Sequence, residues 1–219
     1  MSTRTVVTDL IWLSFDPRTG VALAPDGVLD VAVAGALVAD LALRERIDLV
    51  DGSITVTDAS PVGTTVLDDA LHAIAAAGST TPPQVITRLT STAGRVRADE
   101  VAAAVTAGVL EHRTRKRLRL FTTHQWLPVP GQAAAEVARE VEAAISTPGA
   151  TLRPHVATVI AVLDATRMAH RRFPSADPGQ IATATTGSWA DAALRAATRQ
   201  IQVAITAAIT VATTAAVTS

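Results

Sequence analysis

The run Val156–Leu163, Val-Ala-Thr-Val-Ile-Ala-Val-Leu, is apolar on every side rather than striped. A helix of that character is the buried centre of a larger helical domain, sheathed by helices that are apolar on one face only. A membrane span is the rival reading, but crossing a bilayer takes about 20 apolar residues. Here Arg153 and Asp164 bracket the run and Arg167 follows. The stretch predicts a core helix, with the remaining segments as its cover.

Those segments read as follows. Val6–Phe15 is an apolar helix or strand ended by the turn Asp16-Pro17-Arg18-Thr19-Gly20, and Pro25-Asp26-Gly27 is a second turn. Residues 28–43, interrupted only by Asp30 and Asp40, form a helix. Ile47 and Leu49, a turn at Asp51-Gly52, then Ile54 and Val56 make a β-hairpin. Helices are predicted over 66–77, 84–90, 98–107 and 133–145. Between the last two, Val109–Phe121 alternates as a second hairpin with Arg115-Lys116 near its turn, and Thr122–Gly131 reads as an extended loop. The segment Ser188–Val217 loses all charge after Arg199, but its many threonines fit a docked terminal helix better than a membrane span. The fold class is mainly α: one domain over 1–219, amphipathic helices around a central hydrophobic helix, with one or two small β-hairpins.

Composition excludes several chemistries. The chain has no Cys, so disulfides, thiolate metal sites and a Cys nucleophile are ruled out. Net charge is −1, so attraction to nucleic acid or membrane must come from a local patch. The five histidines, His72, His112, His124, His155 and His170, never form the helical i, i+4 pair with a Glu that a zinc hydrolase uses. Asp68-Asp69 reads as first-turn helix acids, and no phosphate loop or nucleophile elbow is present. A binding protein with no catalytic residue, no metal and no cofactor is expected rather than an enzyme. With no visible signal peptide or lipidation motif, the expected location is cytoplasmic, peripheral at the inner face of the membrane.

Four patches resemble the Golgi phosphoprotein 3 family in its bacterial branch. They are Leu10-Ile11-Trp12-Leu13 ahead of Asp16–Gly20; Ala36–Arg46, ending Leu-Ala-Leu-Arg-Glu-Arg; Asp58-Ala59-Ser60-Pro61-Val62-Gly63 with Leu67–Leu71; and Val105–Leu110 followed by a hairpin and Thr122-Thr123-His124. The resemblance implies a helical fold with a projecting hairpin. It also implies kinship with peripheral Golgi proteins that bind phosphatidylinositol 4-phosphate and the cytosolic tails of glycosyltransferases. Their headgroup pocket uses one Trp, one Arg near the second helix, and two further Arg. Carried over, the second of that arginine pair falls on Arg97 and the first near Gly94, with Arg95 one step away. The Trp and the other Arg fall on Pro25 and Ala34, which cannot serve. Arg95 and Arg97 are thus the headgroup candidates, in a pocket half present, with surface charge or pairing to Asp99 and Glu100 as the alternative.

The second candidate surface is the hairpin, with Arg113, Arg115, Lys116, Arg117 and Arg119, and with Leu118, Leu120 or Phe121 for shallow insertion. An anionic phospholipid surface is the expected partner, with phosphoinositide-like headgroups included. A solvated hairpin that serves self-association or grips a protein partner is the other reading. Helices 84–90 and 98–107 followed by a basic hairpin also have the order of a winged helix. However, the would-be recognition helix offers Asp99, Glu100 and alanines, which phosphates repel, so no nucleic acid is expected.

Overall fold

The computed structural model describes residues 4–117, 121–147, 151–186 and 199–210. Its helices are α1 (Val6–Leu13), α2 (Asp26–Leu43), α3 (Thr65–Ala77), α4 (Pro82–Thr106), α5 (Ala133–Ser146), α6 (Pro154–Ala165), α7 (Ala169–Arg172), α8 (Pro178–Thr186), and α9, helical over 199–210. Two antiparallel hairpins complete it: β1 (Ile47–Val50) with β2 (Ser53–Val56), and β3 (Leu110–Arg117) with β4 (Phe121–Pro128). The fold is mainly α with small hairpins, as the sequence predicts.

Helix α6 is buried over the whole of Val156–Leu163. Each large aliphatic side chain in it contributes roughly 1.5–3 kcal/mol by leaving water. It shares the centre with α2, which is buried without a break from Val31 to Leu41 and packs against α1, α3, α4 and α6. Small residues let the helices approach: an added Cβ at Gly35 would collide with Cδ1 of the fully buried Ile205 on α9. The sheath obeys the amphipathic rule. In α5, for instance, Val137, Val141 and Ile145 recur at four-residue spacing and are buried.

Local chemistry explains the boundaries. Asp51 (φ 50°) and Gly52 (φ 77°) form the two-residue turn between Val50 and Ser53, the left-handed pair that a tight hairpin demands. At the start of α4 the Thr81 N–H and hydroxyl both donate to Gln84 Oε1, at 3.3 and 2.8 Å, ahead of Pro82.

Three expectations are corrected. Pro25-Asp26-Gly27 is not a turn but the beginning of α2. Residues 122–128 are not a loop but most of β4, so the hairpin is longer than predicted. The separate helices 84–90 and 98–107 are one 25-residue helix, α4. Its buried stripe, Val85, Ile86, Leu89, Ala93 and Val96, runs straight through Gly94. A helical glycine costs only about 1 kcal/mol, and here the bare Cα faces the Asp30 carboxylate, which an added Cβ would meet at 3.4 Å. With no turn between the two segments, the winged helix-turn-helix reading falls.

The first turn of α1 is where the layers are tied. Asp40 of α2, only 2% exposed, accepts hydrogen bonds from the Val6 and Val7 N–H groups at 3.1 and 3.2 Å. Asp9 accepts from His155 Nε2 of α6 at 2.8 Å and pairs with Arg4, while Thr8 donates to Glu100 of α4. Burial pushes the Asp40 carboxyl up to about 6, against the lowering effect of the two N–H donors and of His155 and Arg44.

Two predictions follow from this packing. Gly35→Ala should destabilise the protein by about 1–3 kcal/mol through overpacking, measured by urea unfolding. Gly27→Ala, whose Cβ would meet nothing, should be neutral or slightly stabilising. Because the folded Asp40 value lies above the unfolded one of about 3.9, its contribution is complete below the unfolded value and is lost as pH rises through about 6. The Asp40 carboxyl carbon should therefore titrate near pH 6 by NMR, and wild type should lose stability relative to Asp40→Asn between pH 4 and 7. A midpoint at the ordinary carboxylate value would contradict the buried placement.

Candidate functional site

The second hairpin is anchored at its base and free further out. Gly108 (φ 69°) closes α4, and the Val109 carbonyl accepts the Val129 N–H at 3.0 Å. The loop after α1 grips the other edge. Asp16 accepts from the N–H groups of Arg18 and Thr19 and from the Thr19 hydroxyl, shaping a turn that ends at Gly20 (φ 67°). The Gly20 carbonyl then accepts the Trp126 N–H at 2.7 Å, and a side chain at Gly20 would strike that same nitrogen. Beyond this anchor, residues 111–115 and 122–124 are exposed on both faces of the ribbon.

The register, Leu110↔Pro128 through Arg117↔Phe121, sorts the hairpin into two rows. Positions 111, 113, 115 and 117 form one row, with Leu127, Gln125 and Thr123 opposite the first three. Arg113 is held by Glu111 through two hydrogen bonds of 2.8 Å, whereas the exposed Arg115 has no carboxylate partner among the described residues. Lys116 and Arg117 sit opposite Thr122 and Phe121. Leu118, Arg119 and Leu120 lie outside the described residues. Strand alternation thus keeps positions 113, 115 and 117 of the basic cluster in one row and sets position 116 in the other.

The opposite row is aromatic. His112 stands across from Trp126, and His124 is its diagonal neighbour; His112 Nε2 and His124 Nδ1 lie 2.9 Å apart, and both rings stack near Trp126. Trp126 in turn packs on Phe15 at 5.2 Å. Sequence reasoning missed this cluster; the signal was a period-two register joining residues in a segment assigned to a loop. A half-open groove of about 560 Å³ lies beneath, lined by Phe15, Leu29, Arg97, Val101, His112 and Trp126, with Asp26 at its edge. Among the described residues no three histidine or acidic side chains gather as metal ligands.

Arg95 and Arg97 do not converge. Residues two apart on a helix point about 200° away from each other. Arg95 is exposed, while Arg97 is half-buried and turned onto α2. Its Nε donates to Asp30 at 2.9 Å and its Nη1 pairs with Asp26 at 3.2 Å, in place of the Asp99 and Glu100 expected from sequence. Two carboxylates on one guanidinium leave a net negative corner, unsuited to a phosphate group.

The patches that carry the family resemblance prove to be connectors. Arg46 pairs with Asp58 and donates to Ser60, and Asp68 accepts the Val62 N–H. Together they bind the end of α2, the following loop and α3.

Arg97→Ala should cost about 1 kcal/mol or more, since it strands the partly buried Asp30, whereas Arg95→Ala should stay within about 0.5 kcal/mol of wild type. Urea unfolding of the two variants side by side provides the check, and equal effects would contradict the opposed orientation.

Among the described residues no helix is long and apolar enough to cross a membrane. No curated protein matches the chain. A sequence profile described as Golgi phosphoprotein 3 (GPP34) matches residues 7–201 of the 219. That match takes in both hairpins and the helices from α1 to α8, so the chain belongs to the Golgi phosphoprotein 3 family.

Proposed function

We propose that this protein is a peripheral binding protein that meets an anionic phospholipid surface through the outer part of its second hairpin. The observation that carries the reading is a ribbon exposed on both faces over residues 111–115 and 122–124, Arg115 among them, whose sequence continues with Lys116, Arg117 and Arg119. Arg113 contributes less, because Glu111 already satisfies it. The Arg97 corner, occupied by Asp26 and Asp30, is not part of the lipid contact.

Magnitude sets the character of the association. Each basic residue at an anionic surface contributes about 1 kcal/mol, so four supply roughly 4 kcal/mol, equivalent to a dissociation constant of about 1 mM. Contact is therefore reversible and falls with added salt. A protein acting this way is an adaptor located at the inner face of the membrane and not a catalyst.

Co-sedimentation with phosphatidylglycerol-containing vesicles at low salt tests this, against pure phosphatidylcholine vesicles and random duplex DNA. The native chain should bind the anionic vesicles and neither control. Arg115→Glu, Lys116→Glu and Arg117→Glu combined should abolish sedimentation with an unchanged thermal midpoint. Undiminished binding by that variant would remove the hairpin from the lipid contact.

A further inference from the structure

The sequence holds no helical histidine pair, but the β3–β4 register makes a pair across the strands. Position 112 stands opposite 126 and position 124 opposite 114, so the two histidines are diagonal neighbours in one row of the ribbon. Backbone pairing continues on either side of them, at Glu111↔Leu127 and Arg115↔Thr123, which fixes that placement. Both histidines are exposed to solvent. Each ring also stacks near the half-buried Trp126, with centroids 5.4 and 5.9 Å away, which limits how far the imidazoles can swing.

His112 Nε2 and His124 Nδ1 face each other at 2.9 Å, in rings whose planes lie within 9°. As it stands this is a hydrogen bond, one ring donating its N–H and the other accepting. The same spacing is also the bite of a chelate. A metal–imidazole bond is about 2.0–2.1 Å long, so two nitrogens at adjacent corners of a square plane are about 2.9 Å apart. At two corners of a tetrahedron they would stand about 3.3 Å apart. Tetragonal coordination by nitrogen and oxygen is the preference of Cu²⁺ and Ni²⁺, both of which take imidazole, and the affinity order places Cu²⁺ first.

Occupancy of the site is a ligand exchange. Each ring turns about its Cβ–Cγ bond to aim a lone pair at the ion, and two waters of the hydrated ion leave. The ring that had donated carries its proton on its other nitrogen, and the remaining waters complete the coordination. The row offers no competing ligand set: its other positions are Leu110, Thr114, Lys116, Thr122 and Pro128, none of them acidic. Mg²⁺ and Ca²⁺, which need carboxylate and carbonyl oxygens, find nothing there. Arg113 is neutralised by Glu111 in the opposite row, whereas Arg115 keeps its charge and opposes any dication.

We propose that His112 and His124 form a two-imidazole chelate for a tetragonal transition-metal dication, Cu²⁺ first and Ni²⁺ next, on the aromatic row of the second hairpin. The site uses neither the arginines nor the lipid reading.

The test is titration of the full chain with copper(II) chloride at neutral pH in a non-coordinating buffer, without vesicles, read by electron paramagnetic resonance and tryptophan fluorescence. One saturable equivalent is expected, with an axial spectrum coupled to two imidazole nitrogens and partial quenching from the adjacent Trp126. His112→Ala and His124→Ala should each weaken binding about tenfold or more, since the second nitrogen acts at the effective concentration that the register sets. Each should leave one nitrogen coupling and an unchanged thermal midpoint. His72→Ala and His170→Ala, at exposed histidines elsewhere, should leave the titration as it was. Sodium perchlorate should strengthen copper binding by screening Arg115, whereas salt weakens vesicle association, so the two readings fail separately. Zn²⁺ should bind more weakly than Cu²⁺. No saturable binding, a single-nitrogen spectrum in the native chain, or equal binding by the His112→Ala, His124→Ala double variant (an adventitious ion only) would overturn the proposal.

Discussion

Two backbone N–H groups at the head of α1 would be orphans in any isolated helix. Here Val6 and Val7 give them to the carboxylate of Asp40, deep in the middle of α2. The arrangement fixes the angle at which α1 enters the core. One turn later Asp9 reaches His155 on α6 and Thr8 reaches Glu100 on α4. A short helix thereby sets the relative positions of three longer ones. The cost is a carboxylate held where its charge is poorly solvated, which is why its proton affinity rises.

The loop that follows α1 inherits that placement. Asp16 shapes the turn, Gly20 offers its carbonyl to Trp126, and Leu23 offers its own to Arg171. A segment without helix or long strand thus connects the core to the second hairpin and to α7. Hydrogen bonds hold it together with the buried Phe15 and Leu23, and a glycine is required where the β4 backbone passes too close for any side chain.

Charge pairing separates scaffold from surface more reliably than charge density does. Arg46, Arg97 and Arg153 are matched with acids and hold elements together. Arg97, a headgroup candidate in the sequence, instead joins α4 to α2. Membership in the Golgi phosphoprotein 3 family therefore accounts for the framework, while the binding chemistry must be sought where guanidinium groups lack carboxylates.

Much of the framework was legible in the residues alone. The unstriped run 156–163, the turn pair Asp51-Gly52 and the four-residue spacing of Val137, Val141 and Ile145 each reflect a local rule of hydrophobic period or backbone sterics. What failed did so where a local rule met a distant partner. Gly94 looked like a helix break, but it lies within the helix that packs on α2, its Cα facing Asp30, which lies 64 positions earlier. Residues 122–128 looked like a loop because a strand's second edge is visible only once its partner is placed. The residues alone showed that the chain is mainly helical and which arginines it carries. Only the folded chain decided which arginines are neutralised, because that depends on carboxylates brought close from other helices and not on any spacing along the chain.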